Sequence, residues 1–523
     1  MQGKMAILYK KRASAPEYLS PNQLVLEGFE TPFEKKLNPN NRWVVLAHLF
    51  PWDEICSLYY KNVGISNTGR PPLNPRIVVG SIIIKHMCNL DDRETVEQIS
   101  ENIYMQYFLG YSSFTNEQPF DASLFVEFRK RLGIDNLNAI NERVVALKTK
   151  LESSQKETKP THDQEPPIDK PEKDSDTSNK GRVIFDATAC PQDIAYPTDL
   201  NLLSDAREMS EKLIDMVYNP LLHTTKPRTY RKIARKRYLK TAQNKNKSRK
   251  VIRKAVGAQL GYLKRNIKSL YHLLDSYTSM PLKPKYYKYF LVIQTLFEQQ
   301  LQMYKTNTHS IEDRIVSIHQ PHVRPIIRGK SQAKVEFGPK IHVSIIDGIS
   351  FLDELSWDAF NEGSHMMEYV KKYYQRFGFY PRELLADQIY CTRANRAALK
   401  ILGIKLLAKP LGRPSAVQIH VSPGERNPIE GKFGQAKTAY GLNRIKARLK
   451  ETSESMIASI ILVLNLVKLA GVALHCLLVK WCKSFSAKGF LLLASKRGDE
   501  ILIHVILQMQ KYYNRKIDYV NVV

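Results

Sequence analysis

The chain has 523 residues, 43% of them hydrophobic, enough for several domains and a substantial core. Its formal net charge of +28 exceeds what solubility requires and points to a polyanionic partner, nucleic acid before an anionic membrane surface. The six cysteines, Cys56, Cys88, Cys190, Cys391, Cys476 and Cys482, form no CxxC pair, which argues against structural zinc and for a reducing compartment. The N-terminal stretch lacks an apolar run of signal-peptide length, so a cytoplasmic protein is expected.

Residues 1–151 read as an all-α domain. Trp43 to Tyr60 has helical apolar spacing, and Pro75 opens the apolar run Ile77 to Met87 as a first-turn proline. Asp91 or Asp92 caps a helix carrying Val96, Ile99 and Ile103, and Asp121 caps Ser123 to Leu132. A last helix runs from about Leu137 to Leu151. The helices flanking Ser113 to Phe120, with Arg129, Lys130 and Arg131 on the second, are candidates for a helix-turn-helix that reads DNA ends; the alternative is a bundle with a basic solvated face. Residues 152–180 are Pro, Ser, Lys, Glu and Asp with Ile168 the lone apolar side chain, a composition that reads as a disordered linker.

A compact strand signal, Gly181 to Thr188, then delivers Asp186. A helix is expected over Leu203 to Tyr218, opening a helical insertion of about 203–325. Between Asp215 and Asp275 no acid occurs, while Lys226 to Lys268 holds 17 Lys and Arg, including Arg231, Arg235, Lys236, Arg237, Arg249 and Lys250. A solvated helix face is usually mixed in sign, so this stretch is expected to contact DNA phosphates. The period then shifts to strands, at Lys334 to Phe337, Lys340 to Ile346 and Ile349 to Leu352, with Asp347-Gly348 as a hairpin turn. A helix over Asp358 to Phe377, a strand from Pro381 to Ala386 delivering Asp387, a helix over Thr392 to Leu402, a strand over Ile404 to Ala408 and a loop over Leu411 to Pro428 follow.

That loop leads to Arg426, Glu430 and Lys437, spaced i, i+4 and i+11, close enough in phase to share one helix face. Surface ion pairs would produce the same pattern. Set beside Asp186 and Asp387, each at a strand end, Glu430 becomes the third of three carboxylates gathered from distant segments, the hard oxygen set that Mg²⁺ or Mn²⁺ prefers. Asp193, Asp199 and Asp347 compete for the site but suit caps and turns better. The apolar segment Met456 to Trp481 is interrupted by Asn465, Lys468, His475 and Lys480, which favours a buried core helix over a membrane span.

The strand end Phe185-Asp186-Ala187-Thr188, the segment Tyr196-Pro197-Thr198-Asp199-Leu200, the motif Arg324-Pro325-Ile326-Ile327-Arg328-Gly329-Lys330, the strand end Leu384-Leu385-Ala386-Asp387 and the run Glu430-Gly431-Lys432-Phe433-Gly434-Gln435, followed by Tyr440-Gly441-Leu442-Asn443-Arg444-Ile445, together resemble the DDE transposases of bacterial insertion sequences, in the group related to insertion sequences 4 and 5. The similarity in order spans roughly residues 38–480. It implies a ribonuclease-H-like α/β catalytic core over 181–480, interrupted after its first strand by the basic helical insertion and preceded by the all-α DNA-end-binding domain. It further implies Asp186, Asp387 and Glu430 as catalytic acids that hold two Mg²⁺ or Mn²⁺ ions, one activating water or a DNA 3′-hydroxyl and the other stabilising the departing oxygen.

Arg426 and Lys437 fit the family's signature around its glutamate and would hold phosphates, with Arg328, Lys330 and Arg444 as further DNA contacts; the signature tyrosine is replaced by Pro423. The implied partners are double-stranded DNA, at element ends and target, and a second copy of the chain in a dimer or larger assembly, without a membrane. An inactivated or repurposed DNA-binding protein is the alternative. Residues 481–523 form a tail expected to pack on the core or on another protomer.

Overall fold

The computed structural model describes residues 37–63, 73–156, 179–327, 335–408 and 423–484. Most of the expected linker and nearly all of the expected tail lie outside them. The chain divides into two compact units. One gathers 51–102 and 115–465, and the other gathers segments ending at Phe50, Ile103–Phe114 and the chain from Leu466 onward.

In the second unit, α1 (Arg42–Leu49) starts at Asn41, whose side chain accepts the Trp43 N–H, and the Trp43 ring lies 5.4 Å from Phe108 of α5 (Ile103–Phe108). The single helix expected over Trp43 to Tyr60 is two helices, α1 and α2 (Trp52–Val63). Pro51 is the reason, since it has no N–H for the helical ladder and its ring crowds the preceding turn.

In the larger unit, α2 packs on α3 (Pro75–Met87), which is capped by Asn74 and begins with Pro75 as expected. Asp91 caps α4 (Asp92–Glu101) in a reciprocal box with Glu94. That frees Asp92 to bind Arg129 through two hydrogen bonds of 2.9 and 2.8 Å and Lys85 at 2.9 Å. Arg129 belongs to α6 (Leu124–Lys156), which is bent where Gly133 takes φ 63°, separating the two helices read from the sequence. The helix-turn-helix expectation does not hold. Residues 109–123 separate α5 from α6, far more than the three or four residues such a turn uses.

The core of the larger unit is a five-stranded sheet in the order β5-β4-β1-β6-β7, built from β1 (Arg182–Ala189), β4 (Lys340–Ile346), β5 (Ile349–Ser356), β6 (Glu383–Leu385) and β7 (Lys405–Leu407). β4 and β5 form the antiparallel half, joined at Asp347 and Gly348 with φ 49° and 73°, the twin positive values a tight primed turn needs. β6 and β7 run parallel to β1, so each needs a helical crossover: α11 (Met366–Phe377) and α12 (Arg393–Ile401). This is the ribonuclease-H-like strand order that the resemblance implied. α11 begins at Met366 rather than Asp358, because residues 358–365 form an irregular loop.

Between β1 and β4 stand α7 (Asp199–Val217), α8 (Arg231–Ala242), α9 (Arg249–Leu274), α10 (Pro284–Thr306) and a separate two-stranded sheet of β2 (Pro325–Ile327) and β3 (Val335–Phe337). α7 starts four residues earlier than expected, since Thr198 caps it. These helices have their own core, in which Leu203, Leu213, Leu263, Leu270, Ile293 and Leu296 are fully buried. Their basic residues lie on the outside: Arg231, Lys232, Arg235, Lys236, Arg249, Lys250, Arg253 and Lys254 are all exposed.

On the sheet, Val183 and Phe185 face Tyr369, Val370 and Tyr373 of α11, while the strand alternation sends Ile184 and Asp186 to the opposite side. α13 (Asn427–Ala439) packs against β1. The apolar helix α14 (Lys450–Ser484) runs through the interior from Ser453 to Leu466, as expected of a core helix. It is long and apolar enough to cross a membrane, yet 72% of its most apolar window is buried within the protein. Asn465 explains why a polar residue survives there. It accepts the Ser350 N–H at 2.8 Å and donates to Ser350 O and Asn141 Oδ1, both at 2.7 Å, joining α14, β5 and α6.

Candidate active site

Two of the three expected acids are brought together by strand register. β1 and the parallel β6 pair Ile184 with Leu385, and Asp186 and Asp387 each follow by two residues, so both emerge at the same end of adjacent strands. Asp186 lies within β1 and accepts the Ala187 N–H at 2.8 Å. Asp387 lies past the end of β6, which closes at Leu385, and caps a 3-10 turn over Gln388–Tyr390 by accepting the Gln388 N–H at 2.7 Å. Burial pushes the Asp186 carboxyl up, and the nearby Asp387 and Glu362 charges add to this; the Ala187 N–H and Arg426 pull against it without prevailing.

Arg426 does not share a helix face with Glu430 as its spacing suggested. It closes a 3-10 turn over Pro423–Arg426, just before α13, and turns inward. One terminal nitrogen lies 3.2 Å from Asp387 Oδ1 and the other 3.5 Å from Asp186 Oδ2, so one guanidinium serves both carboxylates. Its Nε is buried without a hydrogen-bond partner. The turn is fastened from its other side by Glu425, which pairs with Arg182 at the start of β1; Arg182 also reaches Glu383 at 3.6 Å.

Glu430 occupies the first turn of α13 and is exposed, a position where the helix dipole favours an acid. Lys437 falls in the last turn of the same helix. Among the described residues no three Asp, Glu, His or Cys side chains come close enough to share one metal ion. Asp186 and Asp387 thus converge on a single cationic centre, and Glu430 is not gathered with them. Two hard carboxylates about one cation suit Mg²⁺ or Mn²⁺ in donor chemistry.

Two residues near Asp186, Glu362 and Tyr390, carried no signal in the sequence. Glu362, in the loop before α11, pairs with Lys340 and adds to the negative potential at Asp186. Tyr390 is fully buried, and its hydroxyl has no hydrogen-bond partner; burial raises it, helped by the charges of Glu362 and Asp186. Lys432 is half-buried on α13, and burial lowers its ammonium below the ordinary lysine range. A lone acid between Asn361 and Gly363, or a tyrosine after a strand end, has no spacing that marks it in advance.

The expected DNA contacts divide. Arg235, Lys236, Arg249 and Lys250 stand exposed on α8 and α9. Arg237 lies over the Tyr262 ring at 5.9 Å, and Arg231 binds Asp215 at 3.0 Å. Arg444 binds Asp193 at 2.9 Å, which gives Asp193 a surface ion pair. Asp199 holds Arg314 at 2.8 Å and Gln300 at 3.1 Å within the helical insertion. Arg328 and Lys330 lie outside the described residues. Cys56, Cys88, Cys190 and Cys391 form no disulfide among the described residues.

Comparison with known proteins points to transposases. Residues 31–131 match a family described as "Transposase domain (DUF772)", and residues 384–467, which hold Asp387, Arg426 and Glu430, match "Transposase DDE domain". A Rhizobium meliloti protein, described as an uncharacterized protein ORF8 in the nfe locus, is 33% identical over 184 residues, covering 35% of this chain and 76% of the relative. No solved structure matches.

Proposed function

We propose, from the premise that the chain belongs to the DDE transposases, that it binds the terminal inverted repeats of an insertion sequence related to groups 4 and 5 and catalyses metal-dependent strand cleavage and strand transfer. The observation that supports this reading most is the register that sets Asp186, within β1, beside Asp387, just past the end of β6, with the α13 helix of Glu430 packed on β1. Asp186, Asp387 and, once drawn in from the first turn of α13, Glu430 would hold divalent cations, Mg²⁺ or Mn²⁺. When bound, two such ions supply a nucleophilic oxygen at neutral pH and stabilise charge on the attacked phosphate and the departing oxygen.

The protein's own residues do the rest. Asp186 is partly buried, and Ala187 N–H orients its carboxylate. Arg426 and Lys437 bind phosphates flanking the cut, and the exposed bases of α8 and α9 carry the duplex through counterion release. The helices before residue 151 bind the element ends, 181–480 form the catalytic region, and two copies join two ends in the cytoplasm.

The test uses the purified full chain, a duplex carrying the inverted repeats that flank its gene, and Mg²⁺. Nicking at the repeat boundary is expected from the wild type, with Glu430→Gln binding the duplex but leaving it intact. Cutting by the Gln variant, or no cutting by the wild type, would overturn the assignment.

A further inference from the structure

The placement of Arg426 points to a coupling between metal binding and DNA binding, and this inference rests on the transposase reading above. Its guanidinium lies 3.2 Å from Asp387 and 3.5 Å from Asp186, where a cation shared by the two carboxylates would lie. The side chain is only 22% exposed, and its Nε has no acceptor, so this position is held for the two acids and not for a full set of hydrogen bonds. The backbone that carries it is fastened through Glu425 and Arg182 to the beginning of β1. A positive charge already seated between Asp186 and Asp387 repels a divalent ion and occupies the oxygens that ion needs.

We infer that Arg426 is a stand-in cation: in the DNA-free protein it offsets part of the charge of Asp186 and Asp387, and on binding DNA it moves to a backbone phosphate and releases both carboxylates to a divalent metal. Guanidinium serves carboxylate and phosphate equally well, because both present two oxygens to its planar fork. In either state each of these three side chains keeps an oppositely charged neighbour. In the free protein the acids keep Arg426; in the complex they gain the metal while Arg426 gains phosphate. Reciprocity follows, so DNA tightens metal binding by the same factor by which metal tightens DNA binding. The protein therefore holds its cleavage centre closed to metal until a duplex is in place.

The measurement is Mn²⁺ binding to the full chain by calorimetry, with and without a short duplex, for the wild type, Arg426→Ala and Asp186→Asn. In the wild type the duplex is expected to raise Mn²⁺ affinity by on the order of tenfold, within the range of allosteric couplings. Arg426→Ala should bind Mn²⁺ more tightly than the wild type without DNA, and the duplex should add little. Thermal unfolding gives a second readout: the Ala variant should melt lower without metal and be restored by Mn²⁺, because the exposed repulsion between Asp186 and Asp387 is then neutralised. A loss of stability that Mn²⁺ does not restore, or Mn²⁺ affinity no higher than wild type without DNA, overturns the inference. Asp186→Asn separates it from the parent reading: if that variant binds Mn²⁺ as the wild type does, the metal assignment itself fails.

Discussion

Asp186, within β1, and Asp387, just past the end of the parallel neighbour β6, each stand two residues beyond the paired Ile184 and Leu385, and one guanidinium, that of Arg426, spans both. Their placement is a matter of register, so it survives changes in the loops that follow. Replacing either by Asn keeps the shape and removes the charge. Each variant is expected to lose DNA cleavage by at least about a thousandfold, the scale on which electrostatic groups at reaction centres act, while retaining duplex affinity within a few-fold. Single-turnover nicking and a gel-shift titration read the two effects separately.

Asp92 sits between Lys85 and Arg129 and offers an acid-stability test. Burial raises its carboxyl, but the hydrogen bonds and charges of Arg129 and Lys85 outweigh this and bring it down to about 2. Lys85 is itself lowered despite the pairing, because burial of its ammonium and the charge of Arg129 exceed what Asp92 returns. A carboxyl depressed on folding contributes stability that is complete above its unfolded value of 3.8 and is lost as pH falls toward about 2. Asp92→Asn should therefore destabilise the protein at neutral pH, on the order of 2 kcal/mol after allowing for the partial exposure of Asp92, and should flatten the pH dependence of unfolding between those two values. Chemical denaturation across that range measures it.

Asn465 and Ser350 exchange hydrogen bonds in the interior, and Asn465 also donates to Asn141. Asn465→Ala leaves the Ser350 N–H without this acceptor and the Asn141 oxygen without this donor inside the core. A loss of about 2–4 kcal/mol is expected, above that of an ordinary surface change, because buried polar groups stranded by a deletion pay their full desolvation. Urea unfolding of the variant against the wild type tests it. An unchanged midpoint would mean that the network closes in another way.

The exposed bases of α8 should act as charge and not as sequence readers. Changing Lys232, Arg235 and Lys236 together to Gln is expected to weaken binding to any duplex equally and to reduce the salt slope of binding by up to about 3, one for each phosphate left unneutralised. Comparing an element-end duplex with a scrambled one over a salt series distinguishes this from base recognition. Selective loss on the element end would reassign these residues to readout.

Local features were legible in the chain alone. Asp347-Gly348 carries its turn in two residues able to take positive φ, Asn74-Pro75 and Asp91 with Glu94 carry their helix starts, and the apolar run before Asp186 carries its strand, because each depends on neighbours within a few positions. The excess of Lys and Arg from 226 to 268 was legible for the same reason: acidic partners are missing from the stretch itself. Even the break at Pro51, where one helix was expected, was within reach of the residue type.

Which charges meet is a matter of tertiary structure. The spacing of Arg426 to Glu430 suggested an ion pair along one helix, but a 3-10 turn ends at Arg426, and the long-range approach of β1 and β6 offers it two carboxylates instead of one. Glu362, Tyr390 and Asn465 gain their meaning in the same way, from partners far from them in sequence. No periodicity encodes such distances. They are set when strand register and core packing bring separate segments together, and the electrostatic cost of burying Asp186 is then offset in part by the cation that the fold places beside it.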